Sequence, residues 1–386
     1  MKSIAIIPLR RGSKGIPGKN KKKLLGRPLY QWVLGEAIKS DLDEVYVFSD
    51  DFEIKERIEL DYQWAPKVKY WTRSVESATD TASTESGMLE LAEGLNYEFD
   101  IICLLQATSP ITEFSDINNV LQSVTSGASD SALTVVSAKR FIWSHDGKSI
   151  NYDYLNRPRR QDFEGLLIEN GAVYATNKQQ YLKTKNRLGD KIATIEMPEE
   201  SLTEIDEPSD WPIVEQLLVG RLLKRKKSGS KVKYLFLDVD GVFTEGNVLT
   251  GPEGEIAKSF SLRDGMGFEI AREIGLEIFV MTSENSPIVD RRIEKLRIKN
   301  YFKGVKDKYS LMQFLIGKLN ISESEIGYVG DDINDLAAML AASWSFAPAN
   351  ALDIVKQYAD FVLHASGGNK AIREAIEIIQ KLNNRI

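Results

Sequence analysis

Short apolar runs that are typical of buried β-strands alternate with helical patterns along the whole chain. Such runs include SIAIIPL, EVYVFSD and DIICLLQ in the first half, and YLFL, LEIFVMTS and EIGYVGDD in the second half. Strands that alternate with helices predict parallel sheets with helices packed on their faces. The predicted fold class is therefore α/β, with a mainly parallel open sheet and flanking helices in each half.

The length of the chain predicts two domains. Its 386 residues exceed the roughly 100 to 200 residues of a usual domain. The clearest break is RLLKRKKSGSKVK, where a basic run meets small residues and a new buried-type strand begins. We therefore expect a first domain over residues 1–222, a linker over 223–231 and a second domain over 232–386.

Composition excludes several classes of protein. A hydrophobic content of 42% with 27% charged residues is that of an ordinary globular chain, not of a disordered or fibrous one. The single cysteine, Cys103, and the two histidines, His145 and His364, disfavour a disulfide scaffold and a histidine-based zinc site, so carboxylates must hold any metal. The net charge of -6 argues against nucleic acid as a partner. The first apolar run is too short to span a membrane and leads into Arg10 and Arg11 without a cleavage site, so we expect a cytoplasmic protein.

A loop rich in glycine and basic residues, RRGSKGIPGKN, directly follows the first predicted strand. Open α/β sheets bind their ligands at the carboxyl ends of strands. Glycines let backbone N–H groups approach phosphate oxygens, and Arg10 and Lys19 can stabilise the charge that develops when a triphosphate is attacked at its α-phosphorus. The pattern favours a nucleotide-phosphate loop over a solvated basic turn, although its spacing fits neither the Walker loop nor the dinucleotide fingerprint.

Two carboxylates one residue apart, Asp238 and Asp240, follow the predicted strand YLFL in the second half. In an extended strand their side chains share a face. One carboxylate can attack phosphorus while the other protonates the leaving oxygen and then deprotonates water. Asp331, at the end of EIGYV, can complete a Mg²⁺ cage with them, Thr282 can donate to phosphate, and Lys308 can neutralise its charge.

The first half resembles the CMP-sialate synthetases, the cytidylyltransferases that activate nonulosonic acids. Five segments match in order over about 220 residues: IIPLRRGSKGIPGKN, TRSVESATDTAS, LLQATSP, PRRQDF and ENGAVY. The resemblance implies a nucleotidyltransferase Rossmann-like fold in which CTP is bound by Arg10, Ser13, Lys19, Asn20, Arg73 and Ser83. It also implies that Gln106 and Asn170 address the sugar, a free sialic acid.

The segment TEIDEPSDW resembles the metal segment of the same family, which implies Asp206 as a Mg²⁺ ligand. Glu204 stands where many relatives have Asp, so its role as a second metal ligand is open. Asp206 and Asp210 are equally explained as acids at the start of the helix PIVEQLL, where negative charge favours the helix N-terminus.

The second half resembles the haloacid dehalogenase superfamily, on DVDGV, Thr282, Lys308 and GDDINDLAAM. The resemblance implies Asp238 as nucleophile, Asp240 as general acid and base, and Mg²⁺ held by Asp238, Asp331 and the backbone carbonyl of Asp240. FSLRDGMG and SGGNKAIREAIEII resemble the small capless phosphatases that act on 3-deoxy-octulosonate 8-phosphate and on nonulosonate 9-phosphates.

Two further residues separate those phosphatase subgroups. The pairing of Glu284 with Lys295 resembles the nonulosonate 9-phosphate subgroup, and we favour this interpretation over the alternative that both are exposed charges near a helix. Together the two resemblances predict a bifunctional, Mg²⁺-dependent homotetramer that dephosphorylates N-acetylneuraminate 9-phosphate, or the 9-phosphate of its deaminated analogue KDN, and joins the free sugar to CTP. The alternatives are a synthetase with a non-catalytic, oligomerising second domain, and a phosphatase specific for 3-deoxy-octulosonate 8-phosphate.

Overall fold

The computed structural model describes residues 1–13, 15–224 and 230–384, which form two compact units. The first unit comprises Met1–Lys22, Leu29–Glu59 and Ala65–Leu217. The second comprises Lys23–Pro28, Leu60–Trp64 and Leu218–Ile386, and so takes in two short segments from the first half of the sequence. Residues 225–229 of the predicted linker, and the loop residue Lys14, lie outside the described residues.

The structure contains strands and helices in the alternating order that the apolar runs predict. The strands are β1 (Ser3–Leu9), β2 (Lys23–Leu24), β3 (Arg27–Pro28), β4 (Glu44–Ser49), β5 (Val68–Thr72), β6 (Ile101–Leu105), β7 (Ser131–Ala138), β8 (Leu166–Asn177), β9 (Ile192–Glu196), β10 (Tyr234–Leu237), β11 (Leu249–Gly251), β12 (Gly254–Ala257), β13 (Glu277–Met281), β14 (Asn300–Phe302), β15 (Ile326–Val329), β16 (Trp344–Ala347) and β17 (Phe361–Val362). The α-helices are α1 (Leu29–Lys39), α2 (Phe52–Asp61), α3 (Thr84–Gly94), α4 (Phe114–Thr125), α5 (Lys178–Thr184), α6 (Asp210–Lys224), α7 (Leu262–Glu273), α8 (Pro287–Lys295), α9 (Lys308–Leu319), α10 (Leu336–Ala341), α11 (Asp353–Tyr358) and α12 (Ala371–Asn383).

The first unit is built on a seven-stranded sheet in the order β5-β4-β1-β6-β8-β7-β9. Strand β8 runs antiparallel to β6 and β7, and the other neighbouring strands are parallel. Ile6 and Ile7 on β1 are both fully buried, because a central parallel strand is covered on both of its faces. Ile6 packs with Phe48 and Leu104 in the core.

The second unit is built on a six-stranded parallel sheet in the order β14-β13-β10-β15-β16-β17. Ile372, Ile376 and Ile379 recur at helical spacing on α12 and are fully buried in the core with Val329 and Phe346. Burial of each such side chain stabilises the unit by about 1.5 to 3 kcal/mol. The antiparallel pairs β2–β3 and β11–β12 are separate two-stranded ribbons.

In both main sheets, the strands that follow the first strand are placed first on one side of it and later on the other side. The strands β4 and β5 lie on one side of β1 and β6 on the other, while β13 and β14 lie on one side of β10 and β15 on the other. Such switch points leave a crevice beyond the carboxyl ends of the strands, where α/β proteins bind their ligands. The predicted α/β class with two domains is confirmed. Among the described residues, none of the helices combines the length and the apolar character that a membrane crossing requires.

Candidate active sites

A cavity of about 370 Å³ lies at the carboxyl end of β1 in the first unit. The predicted site residues that line it are Arg10, Ser13, Lys19, Asn20, Arg73, Gln106 and Asp206. They come from the ends of β1, β5 and β6 and from the segment before α6. Most of the residues predicted to bind nucleotide therefore share one basic cavity at the switch point of the sheet.

The loop after β1 is fixed by its own hydrogen bonds. The Lys19 ammonium donates to the carbonyl of Ile205 at 2.7 Å and to the Asp206 carboxylate at 3.1 Å. Asn20 donates from its amide to the carbonyl of Arg10 at 3.2 Å, so its predicted contact with CTP requires another of its atoms or a rearrangement. A Cβ at Gly15 would lie 2.4 Å from the carbonyl oxygen of Asp206, which explains why this position needs glycine. The loop is thereby held against the acidic segment.

Two arginines present their guanidinium groups to the cavity. Arg10 forms an ion pair with Asp80 at 2.8 Å. Arg73 is buried, donates to the carbonyl of Ser77 and lies over the ring of Phe48 at 5.4 Å. Burial lowers the pKa of the Arg73 guanidinium below its usual range, while Arg remains charged in proteins. These contacts place two fixed cations where a polyphosphate can bind.

The three carboxylates of the acidic segment TEIDEPSDW that the sequence singled out have different surroundings. Asp206 is two-thirds exposed at the cavity, where its carboxylate is accessible to a metal ion bound with the substrate. Asp210, at the first position of α6, accepts from the N–H groups of Glu207 at 2.7 Å and Asp206 at 2.9 Å, and these bonds lower its pKa. Glu204 accepts from the Thr108 hydroxyl at 3.3 Å, and burial followed by the Asp206 charge raises its pKa. Asp210 thus orders the segment, whereas Asp206 faces the cavity.

Two residues that are predicted to bind ligands, Asn170 and Ser83, form hydrogen bonds with other residues of the protein. Asn170 is 1% exposed, donates to the Ser201 hydroxyl at 3.0 Å and accepts from the Thr134 hydroxyl at 2.7 Å, away from the cavity lining. Ser83 caps α3 by accepting from the N–H of Ser86 at 3.1 Å. Their contacts with sugar and nucleotide stay predictions.

A buried charged cluster lies at the carboxyl end of β10 in the second unit. Lys308, the first residue of α9, is 1% exposed, and its ammonium lies 2.7 Å from Asp238 and 2.8 Å from Asp335. Asp335 also accepts from the Tyr328 hydroxyl at 2.8 Å and from the N–H of Asp331 at 3.2 Å. A buried lysine requires such paired carboxylates. Asp335 therefore links Lys308, Tyr328 and the backbone of Asp331 and holds them in place.

The cluster has the properties of a cation site. Asp238, Asp331 and Asp335 each offer an oxygen within 4.8 Å of the others, and together they exceed the one positive charge of Lys308. The buried Oδ1 of Asp331 accepts no hydrogen bond from the described residues. Burial and the Asp335 carboxylate raise the pKa of Asp238 well above its usual range and raise that of Asp331 to about 7. A divalent cation would satisfy the free oxygen and favour both ionised carboxylates, so the residues fit the predicted metal.

The neighbouring motif residues lie around this cluster. Gly241 has a φ of +90°, and a Cβ there would lie 1.8 Å from Oδ2 of Asp331, so only glycine fits. Asp240 accepts from the Lys258 ammonium at 2.8 Å and the Thr244 hydroxyl at 3.3 Å. The side chain of Lys258 is 3% exposed. No sequence signal pointed to Lys258, because only the packing of β12 brings it to Asp240.

The remaining residues that the sequence predicts for the second site differ in exposure. Thr282 directly follows β13, is 2% exposed and accepts from the N–H of Glu284 at 3.2 Å. Glu284 and Lys295 are exposed, the latter at the last position of α8. Thr282 is therefore held at the carboxyl end of β13. The role of Glu284 and Lys295 in specificity stays a prediction.

Comparisons with known proteins match both halves of the chain. Residues 4–193 match the family described as cytidylyltransferase, and residues 298–376 match the family of haloacid dehalogenase-like hydrolases. N-acylneuraminate cytidylyltransferase B of Danio rerio is 32% identical over 391 residues, which cover 99% of this chain and 91% of that protein. The 3-deoxy-D-manno-octulosonate 8-phosphate phosphatase of Haemophilus influenzae is 37% identical over 148 residues, 38% of this chain and 82% of that protein. The crystal structure of the Moraxella catarrhalis phosphatase of that name, with magnesium, phosphate and KDO, is 30% identical with a TM-score of 0.39, over 43% of this chain and 94% of that one.

Proposed function

The chain belongs to the N-acylneuraminate cytidylyltransferase family, and we propose that it is a bifunctional enzyme with two consecutive reactions. The second unit hydrolyses a nonulosonate 9-phosphate, and the first unit transfers CMP from CTP to the free sugar acid and releases pyrophosphate. Both family resemblances expected from the sequence are confirmed, and the relatives support a cytidylyltransferase and a phosphatase activity in this one chain.

The buried Lys308 between Asp238 and Asp335 is the observation that carries the phosphatase proposal. A non-catalytic, oligomerising domain has no need for a buried ammonium among three carboxylates, one of which leaves an oxygen without a donor among the described residues. The ion pairs with Lys308 offset the loss of water from these charges only in part, because three carboxylates face one ammonium, and such unbalanced buried charge is typical of binding and catalytic sites. This cluster supports catalysis over the purely structural alternative.

In the proposed hydrolysis, a carboxylate oxygen of Asp238 attacks phosphorus, and the bond from phosphorus to the sugar oxygen breaks. Asp240 gives its proton to that oxygen and then takes a proton from the water that hydrolyses the aspartyl phosphate. Lys308 holds Asp238 in place and, with the Thr282 hydroxyl, binds the phosphate oxygens. Asp238, Asp331 and the carbonyl of Asp240 would hold Mg²⁺, which when bound neutralises negative charge at the phosphate.

In the proposed transfer, the anomeric hydroxyl of the sugar attacks the α-phosphorus of CTP, and pyrophosphate leaves. Arg10 and Lys19 stabilise the charge on the phosphates, and Arg73 adds a fixed cation at the cavity wall. Asp206 would hold Mg²⁺ at the same cavity. Ser13, Asn20 and Ser83 complete the proposed CTP site, and Gln106 and Asn170 the proposed sugar site.

The pairing of activities supports the choice of substrate. Hydrolysis of a 9-phosphate yields the free nonulosonate that the first unit requires as its acceptor, whereas 3-deoxy-octulosonate does not feed a sialate cytidylyltransferase. We therefore propose N-acetylneuraminate 9-phosphate or KDN 9-phosphate as the substrate, with Glu284 and Lys295 contributing to recognition. We also propose a cytoplasmic homotetramer that binds small molecules only.

The proposal is tested by incubating the purified chain with N-acetylneuraminate 9-phosphate, CTP and Mg²⁺ while phosphate, pyrophosphate and CMP-sugar are quantified. All three products are expected, with much slower phosphate release from 3-deoxy-octulosonate 8-phosphate. Asp238→Asn should abolish phosphate release yet leave transfer to added free sialic acid intact, and Asp353→Asn, a change of an exposed carboxylate, is its matched control. CMP-sugar from free sialic acid alone would refute the phosphatase proposal, and preference for the octulosonate ester would refute the substrate.

A further inference from the structure

Asp307, the residue before Lys308, is buried and accepts hydrogen bonds from several groups. Asp307 is 1% exposed and caps α9 by accepting from the N–H of Ser310 at 3.2 Å. Arg27 donates to both of its carboxylate oxygens at 3.0 Å, and the hydroxyl of Tyr62 donates to Oδ2 at 2.7 Å. A two-pronged arginine contact fixes a carboxylate in orientation as well as in position.

Arg27 is itself held rigidly. Its guanidinium is buried, donates to the Ser310 hydroxyl at 2.7 Å and lies over the ring of Tyr309 at 4.4 Å. Ser310 and Tyr309 belong to the first turn of α9, as does Lys308. One arginine thus contacts the cap and two residues of the turn that carries the catalytic ammonium.

The β2–β3 ribbon, which carries Arg27, also contacts the loop over residues 331–335. Gly26 has a φ of +80°, and a Cβ there would lie 1.7 Å from the carbonyl oxygen of Ile333. Ile333 lies two residues after Asp331 and two before Asp335. The β2–β3 ribbon therefore packs against both segments that supply charges to the cluster, the turn with Lys308 and the loop with Asp331.

We propose that Arg27 and Tyr62 are positioning residues of the phosphatase. They lie far from the phosphatase motifs in sequence but belong to the second unit, where they fix Asp307 and so hold Lys308 between Asp238 and Asp335. The inference rests on the proposed phosphatase function. It assigns part of the phosphatase site to sequence outside residues 232–386.

The test compares full-length variants in steady-state phosphatase assays with N-acetylneuraminate 9-phosphate and Mg²⁺. Arg27→Met should lower kcat about tenfold with KM changed less than about twofold, because outer supporting contacts act through the group they position. Arg27→Lys should recover part of the loss, and Tyr62→Phe, which removes one hydroxyl, should lower kcat less than Arg27→Met does. The double variant Asp307→Asn/Arg27→Met should lower kcat by less than the product of the two single-variant factors.

Arg292→Met is the matched control, since Arg292 is a half-buried arginine of the same unit that donates to the carbonyl of Ser261. Thermal melting and transfer to free sialic acid are recorded for every variant. A kcat for Arg27→Met equal to that of Arg292→Met at similar melting temperatures would overturn the positioning role. The Tyr62→Phe variant decides the question if Arg27→Met does not fold. An inactive wild-type phosphatase would overturn the proposed function together with this inference, whereas an active wild type with unaffected variants overturns the inference alone.

Discussion

Single residues decide whether the phosphatase cluster can exist. Asp331 approaches the backbone at Gly241 so closely that no side chain fits between them, and the positive φ of Gly241 disfavours any other residue. The glycine of the DVDGV motif therefore serves the packing of the acidic site, which its sequence position alone does not reveal.

Gly241→Ala should abolish phosphate release, because the added Cβ must displace the Asp331 carboxylate. Gly254→Ala is the matched control, since its φ is +112° but a Cβ there would meet no atom of the described residues within 4 Å. The control should lose about 1 to 2 kcal/mol of unfolding free energy through backbone strain and keep its phosphatase activity. Phosphate release and urea unfolding check both variants, and an active Gly241→Ala would contradict the geometry.

At the level of secondary-structure elements, the N-terminus of α3 gives a test of whether Ser83 caps the helix, binds CTP or does both. Ser83 is predicted to bind CTP, and it caps α3 through the N–H of Ser86. Ser83→Ala should lower the unfolding free energy by about 1 kcal/mol, and Ser83→Asp should restore it, because Asp is an equally good cap. Equilibrium unfolding and the KM for CTP separate the two roles. If both variants keep the wild-type KM, the predicted nucleotide contact is wrong.

Glu44, at the start of strand β4, contributes to the pH dependence of the first unit. Burial opposes ionisation of Glu44, but hydrogen bonds from Lys69, Tyr46 and Lys2 prevail and lower its pKa to about 2. A carboxyl group whose pKa is lower in the folded than in the unfolded chain stabilises the fold above the unfolded pKa, and the stabilisation is lost as the pH falls towards the folded pKa.

Glu44→Gln should therefore be less stable than the wild type at pH 6, and the difference should shrink as the pH is lowered to about 3. Melting temperatures across that range, with the exposed Glu253→Gln as control, provide the measurement. A gap that stays constant with pH would show that the loss comes from packing and not from the ionised carboxylate.

Across the complete chain, the two proposed activities share a small diffusible intermediate, the free sugar acid. Asp238→Asn should block its formation and Lys19→Met should block its use, so neither variant alone should make CMP-sugar from the 9-phosphate. An equimolar mixture of the two purified variants should recover the product after a lag, because the intermediate can leave one chain and enter another. Product measured against time tests this, with each variant alone as the control. Absence of product from the mixture, with both partial activities present, would contradict free diffusion of the intermediate.

The α/β class, the two-domain organisation, both family memberships and the strand ends at which the site residues lie could all be predicted from the amino-acid sequence. These features follow from local patterns, since apolar runs mark strands and short motifs follow them directly. The loop after β1 and the DVDGV segment are continuous in sequence, so their chemistry could be inferred without coordinates.

Which distant groups meet was settled by the folded chain alone. Folding pairs Lys258 with Asp240, Arg27 with Asp307, and Asn170 with a buried hydroxyl network instead of the cavity. Arg27 and Asp307 are 280 residues apart, and no periodicity or spacing encodes such a contact. It arises because buried charges must find partners wherever packing brings them, and packing is a property of the whole fold.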